Sequence, residues 1–171
     1  MRTKLIISAN GPDRKGIVSE ISSIINNYNC NIEISKMVRL ENEFAMLFLI
    51  DLEDNIIEKV GEDLKEIKNL TIQLIKTDNN NAIYKHKFHL YINGADNEGI
   101  IYKFSNYLSK RDMNIEEINT HIRNAPISAT PLFMMDVIIG SKKEIHQTKL
   151  ILELNQISEK LGVEISLKKI K

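Results

Sequence analysis

The frame Asn-Gly-x-Asp-x-x-Gly-Ile occurs twice in this chain, at residues 10–17 and again at 93–100, an offset of 83. Each copy follows a short apolar run and opens a segment whose apolar residues recur with the period of a helix. The frame therefore predicts a strand-to-helix turn used twice in a duplicated chain. Its second glycine, Gly16 or Gly99, lets the backbone come close to a guest, and the first helical amides can bind an anion such as a carboxylate. A plain turn with Asp and Gly in their usual turn and N-cap places is the competing reading. Repetition weakens that reading without excluding it, because duplication preserves plain turns too.

Taken in order, Leu5, Ile7 and Ala9 alternate as a first strand. Ile17, Ile21, Ile24, Ile25 and Tyr28 then lie on one helical face. Ile32, Ile34, Val38 and Leu40 mark a second strand, and Glu41-Asn42-Glu43 a hairpin connection. The unbroken apolar run Phe44–Ile50 predicts a strand buried on both faces. Ile56, Ile57, Val60, Leu64 and Ile67 give a second helical stripe, and residues 71–77 a last strand.

The second half repeats this order. Phe88, Leu90 and Ile92 form a strand, Ile100, Ile101, Phe104, Tyr107 and Leu108 a helical face, and Asn114-Ile115-Glu116 reproduces Asn31-Ile32-Glu33 at the same offset of 83. A strand to about Arg123, a longer hairpin over 124–131 and a central strand over 132–139 follow. Leu150, Leu154, Ile157 and Leu161 line the last helix, with Gly162 as its C-cap and a closing strand over 163–170. The fold class is therefore α+β, with two tandem ferredoxin-like βαββαβ domains. Each is a four-stranded antiparallel sheet with two helices on one face. The domains are expected at 1–78 and 85–171, joined by a polar, Asn-rich linker at 79–84. The apolar runs 44–50 and 132–139 also place large side chains on the sheet face away from the helices. We expect the repeats to associate with each other or with a second chain through sheets or edge strands.

Charge narrows the function classes. Lys plus Arg (23) equals Asp plus Glu (23), so there is no global attraction to nucleic acid or an anionic membrane. The first 80 residues hold 10 basic and 13 acidic side chains, and the remaining residues hold 13 and 10, too small an imbalance for a DNA-binding face. The one cysteine, Cys30, excludes an intrachain disulfide and fits a reducing cytoplasm. Residues 1–4 lead straight into a strand pattern and carry no signal-peptide features. No apolar run has the length of a membrane span. His86 and His89 point to opposite faces of one strand, so no metal site is expected, and no cofactor. Cys30 has no orienting motif for a nucleophile. Phe48 and Phe133 lack the basic neighbours that RNA-binding sheets of this class use. Arg14 has no arginine counterpart in the second turn and no marked nucleophile or base, against a phosphatase site. The chain is predicted not to be an enzyme.

A strand, a Gly-x-Asp-x-x-Gly-Ile turn, a helix and Asn-Ile opening the next strand resemble the ACT domain, a regulatory module that binds amino acids. "NCNIEISKM", "RDMNIEEINTH" and "TPLFMMDVII" carry the likeness over essentially the whole chain. The resemblance implies a ligand, glycine or a similar small amino acid, at the strand-to-helix turns. The implied ligand residues are Asn10, Gly11, Asp13, Gly16, Ile17 and Asn31 in the first copy. In the second they are Asn93, Gly94, Asp96, Gly99, Ile100 and Asn114. Amides at Gly16 or Gly99 would hold the carboxylate, and Asp13 or Asp96 the ammonium or the helix end. Asn31 or Asn114 would supply a donor and an acceptor. Arg14-Lys15 against Asn97-Glu98 makes the first copy the better anion site. The expected protein is a homodimer that acts on transcription of amino-acid metabolism through a partner protein, without touching DNA itself. The alternative is an interaction subunit that assembles through its sheets and binds no small molecule.

Overall fold

The computed structural model describes residues 1–77, 84–125 and 130–170. The chain forms two compact units, Met1–Asn81 and Ala82–Lys171. Of the expected linker at 79–84, residues 79–83 lie outside the described residues, as do 126–129 of the long hairpin.

The first unit runs β1 (Arg2–Pro12), α1 (Ile17–Asn27), β2 (Asn31–Leu40), β3 (Glu43–Glu53), a 3-10 turn (Asp54–Ile56), α2 (Ile57–Lys65) and β4 (Thr71–Thr77). The second runs β5 (His86–Ala95), α3 (Ile100–Lys110), β6 (Met113–Asn124), β7 (Pro131–Ser141), α4 (Gln147–Leu161) and β8 (Val163–Ile170). Each unit carries one four-stranded sheet, ordered β2-β3-β1-β4 in the first and β6-β7-β5-β8 in the second. All neighbours are antiparallel. This is the ferredoxin-like α+β arrangement, made twice.

The period-two and period-3.6 patterns meet in the two cores. Leu5, Ile7 and Ala9 of β1 are buried with Ile17, Ile21 and Ile25 of α1 and Val60 and Leu64 of α2. Phe88, Leu90 and Ile92 of β5 are buried with Ile100, Phe104 and Leu108 of α3 and Leu150 and Leu154 of α4. Each of these side chains except Ala9 contributes about 1.5–3 kcal/mol of burial, before the entropy of ordering it is counted.

Several sequence expectations change here. The apolar run of β3 is not buried on both faces within its unit. Phe44, Met46, Phe48 and Ile50 face the helices, while Ala45 and Leu47 are exposed. The helices cover one face, and strand side chains alternate. The same holds in β7, where Phe133, Met135, Val137 and Ile139 are buried and their alternates are only half-buried. In β2, Ile34, Val38 and Leu40 are exposed, because this is an edge strand and they share the sheet face without helices. Ile101 is likewise exposed, one step off the buried stripe of α3.

The turn is also shorter than the frame that announced it. Asn10, Gly11 and Pro12 continue β1, paired with Ala45, Phe44 and Glu43, and Asn93, Gly94 and Ala95 continue β5. Pro12 fits because the ladder with β4 ends at Asn10, so that β1 is locally an edge strand at Pro12. Only Asp13–Gly16 and Asp96–Gly99 are true turns.

Candidate functional site

Both turns end in a glycine with left-handed backbone, φ 91° at Gly16 and 81° at Gly99. A β-carbon at Gly99 would meet nothing within 4 Å, and one at Gly16 only the Glu20 carboxylate at 3.8 Å. These glycines are therefore required by backbone conformation, not by crowding. Each is the N-cap of its helix, and neither α1 nor α3 has a side-chain cap. Ile17 and Ile100 begin the helices and are buried in the cores.

The first glycine of each frame has another job. A β-carbon on Gly11 would collide with the backbone oxygen of Asn69. One on Gly94 would lie 2.7 Å from the Val163 Cα and 2.8 Å from the Gly162 oxygen. Gly11 and Gly94 let the chain leaving the second helix cross close behind the central strand, so their space is filled by the protein itself.

Asp13 does not cap α1. Its amide donates to the Asn42 carbonyl at 2.8 Å, and its carboxylate lies 3.7 Å from the Arg39 guanidinium. Asp96 is exposed, as is Asn10. The Asn93 side-chain oxygen is buried without a hydrogen-bond partner among the described residues.

Asn31 and Asn114 are not brought to the turns within either unit. Asn31 pairs with Asp51, which pairs with Lys4, whereas the turn follows Pro12. At about 3.3 Å per residue, Lys4 and Pro12 are roughly 26 Å apart along β1. Asn114 stands likewise beside Gly140 and Lys87, at the far end of β5 from Gly99. The repeated Asn-Ile-Glu has a structural reason instead. The register shifts between Ile32 and Ile34 and between Ile115 and Glu117. At each bulge a glutamate accepts from a lysine, Glu33 from Lys4 and Glu116 from Lys87, both at 2.6 Å.

The two turns diverge in what surrounds them. In the first unit an open groove of about 860 Å³ lies between α1 and α2, with Arg14, Gly16, Ser19 and Glu20 on one side and Asp63 and Glu66 on the other. Arg14 donates from both terminal nitrogens to both Glu20 carboxylate oxygens at 2.6 Å. That pairing holds the Glu20 carboxyl below its usual range and raises the guanidinium above its own. In the second unit Asn97 stands at the place of Arg14 and donates to the Leu161 carbonyl at 2.7 Å. The second turn is thus tied to the end of α4. Glu20, Asp63 and Glu66 carry no motif of their own, and sequence reasoning missed them. The one available signal was that Glu20 becomes Lys103 at the repeat offset of 83.

Each unit is a ferredoxin-like sandwich with a glycine-opened turn at the head of its first helix. Residues 3–75 match the family model of the ACT domain. A UPF0237 protein of Methanopyrus kandleri is 38% identical over 66 residues, 37% of this chain and 73% of that protein. The chain belongs to the ACT-domain family. It is also related to the glycine cleavage system transcriptional repressor of Escherichia coli, with 28% identity over 118 residues. That match covers 67% of this chain and 62% of the repressor. The crystal structure of an unknown protein from Galdieria sulphuraria superposes with a TM-score of 0.86 at 26% identity, covering 100% of both chains. A structure assigned to a glycine cleavage system transcriptional repressor shares the fold, with a TM-score of 0.65 at 21% identity, over 100% of this chain and 99% of that one.

Proposed function

We propose that this chain is a non-enzymatic, cytoplasmic regulatory protein that binds a small amino acid, glycine or similar, at the turn of its first ACT unit. Its output on amino-acid metabolism passes through a partner protein, since the chain has no net charge and no recognisable DNA-binding motif. The observation that carries this reading is the groove beside Gly16 with the Arg14–Glu20 pair on its rim. A zwitterion complements both members of that pair. Its carboxylate suits Arg14 and the uncapped amides of α1, and its ammonium suits Glu20 with Asp63 or Glu66 across the groove. Both partners are more than a third exposed, so separating them costs little. Binding shifts a conformational equilibrium only by its differential affinity for the two states.

Calorimetry and thermal-shift screening against the twenty amino acids test this. The expected result is stabilisation by one small amino acid, lost in Gly16→Val. No stabilisation by any of them at millimolar concentration would overturn the reading.

A second reading, an interaction subunit without a ligand, is favoured by the open sheet face of the first unit. Ile34, Leu49, Ile6 and Ile75 form one row across all four strands. The corresponding row of the second unit is Glu117, Ile138, His89 and Lys168. Ile34, Leu47 and Ile75 are 56%, 48% and 48% exposed. A homodimer formed face to face through this row is compatible with either reading.

A further inference from the structure

The helix layer of the second unit carries a groove of about 320 Å³ between α3 and α4. Lys103, Lys110 and Lys160 stand on its rim, Tyr107 and Ile157 form its floor, and no carboxylate lines it. The duplication supplies an internal control. Where α3 has Lys103 and Lys110, α1 has Glu20 and Asn27, at the repeat offset of 83. The buried residues Val60, Leu64 and Ile67 recur with the same spacing as Leu154, Ser158 and Leu161. That alignment sets Asp63 and Glu66 against Ile157 and Lys160. A groove of mixed charge in one half, with Glu20, Asp63 and Glu66 beside Arg14 and Lys68, has become a wholly basic groove with an apolar floor in the other.

The neighbouring carboxylate does not cancel this charge. Glu153 accepts from the Tyr107 hydroxyl at 2.5 Å and is paired with Arg111. The same bonds fix the Tyr107 ring, with the Arg111 guanidinium 5.4 Å from its centroid. Lys103 and Lys110 are two helical turns apart, roughly 10 Å.

We infer that the α3/α4 groove docks an acidic, amphipathic helical segment of a partner protein. Carboxylates two turns apart would meet the lysines, and an apolar residue between them would cover Tyr107 and Ile157. The carbon floor favours a peptide over a nucleic-acid backbone, whose contacts are to donors along a charged strand. This rests on the reading that the output passes through a partner, and it assigns sensing to the first unit and docking to the second.

The test uses the full chain and a fluorescein-labelled Glu/Leu amphipathic peptide of about four helical turns, followed by anisotropy at rising salt. Lys103→Glu, Lys110→Glu and Lys160→Glu combined should weaken binding about tenfold or more, and the three Lys→Gln changes by less. A control with the exposed Lys59, Lys76 and Lys142 changed to Glu should bind like the wild type, and salt should weaken the wild-type complex. Circular dichroism checks that the variants fold. The proposal is overturned if the wild type ignores the peptide, if the groove variants bind it unchanged, or if the control loses as much. It is also overturned if duplex DNA binds the same lysines more tightly than the peptide does. Amino-acid calorimetry on the wild type, beside its peptide titration, separates the two readings: failed docking with intact amino-acid binding sinks only this inference, and docking without any amino-acid binding sinks only the sensor.

Discussion

Arg14 and Glu20 close on each other across the head of α1 through two 2.6 Å hydrogen bonds, and in the second unit the same two places hold Asn97 and Lys103. The turn backbone is conserved between the halves while its charge is not. If the first groove takes a zwitterion, Arg14→Ala and Glu20→Gln should each weaken it strongly. Neither should move the unfolding midpoint appreciably, since both side chains are solvent-exposed partners. Affinity unchanged in both variants would remove the pair from the site.

The four glycines of the two frames should separate into two classes. Gly94→Ala drives a methyl into the backbone at Gly162 and Val163 and should cost roughly 3 kcal/mol, as overpacking does. Gly99→Ala meets empty space but forces a left-handed conformation on alanine, for about 1 kcal/mol. Urea denaturation of the two variants measures this. Equal losses would mean that Gly94 is not a crossing point.

These classes show why the frame itself was only partly legible. The duplication, element order and core stripes followed from periodicity, because burial on one side is what periodicity records. Asn31 and Asn114 also recur, yet they repeat beside a bulge and a Lys–Glu pair at the far end of the sheet. A repeat marks what both halves need, which includes backbone crossings and bulges. Asp63 and Glu66 reach the first groove only because α2 packs beside α1, and no local pattern carries that. The run Phe44–Ile50 misled for a related reason: its outward residues are apolar for a surface that the helices of its own unit leave uncovered.

That uncovered surface gives a prediction on assembly. Leu47→Glu with Ile75→Glu places charges on the open face of the first sheet without touching its core. Light scattering should show a dimer for the wild type and a monomer for the variant at the same concentration, with circular dichroism unchanged. A dimer that survives both changes would have to be built elsewhere.

The Tyr107–Glu153–Arg111 cluster sets a dependence on pH. The Tyr107 hydroxyl, and after it Arg111, hold the Glu153 carboxyl below its usual range. Burial, followed by the bond to Glu153, pushes the Tyr107 phenol up. A lowered carboxyl contributes stability above its ordinary value, about 4.3, and loses it as pH falls through the folded value. A raised phenol contributes fully below its ordinary value, about 10, and loses it as pH rises beyond that. Urea midpoints across pH should therefore fall off at both ends, with Glu153→Gln flattening the acid limb and Tyr107→Phe the alkaline one. Limbs that keep their slopes in these variants would place the linkage in other groups.

The divergence of the two turns also predicts stoichiometry. With the second turn tied through Asn97 to the Leu161 carbonyl and a lysine in place of Glu20, one amino acid should bind per chain. The Arg14–Glu20 pair can be transplanted as Asn97→Arg with Lys103→Glu. The new arginine frees the Leu161 carbonyl and restores the opposed charges beside Gly99, whose backbone already matches that of Gly16. Calorimetry should then report a second, weaker site. If binding remains at one per chain with the variant folded, the opposed pair is not sufficient, and the acidic wall from Asp63 and Glu66, which α4 replaces with Ile157 and Lys160, must be part of what holds the ligand.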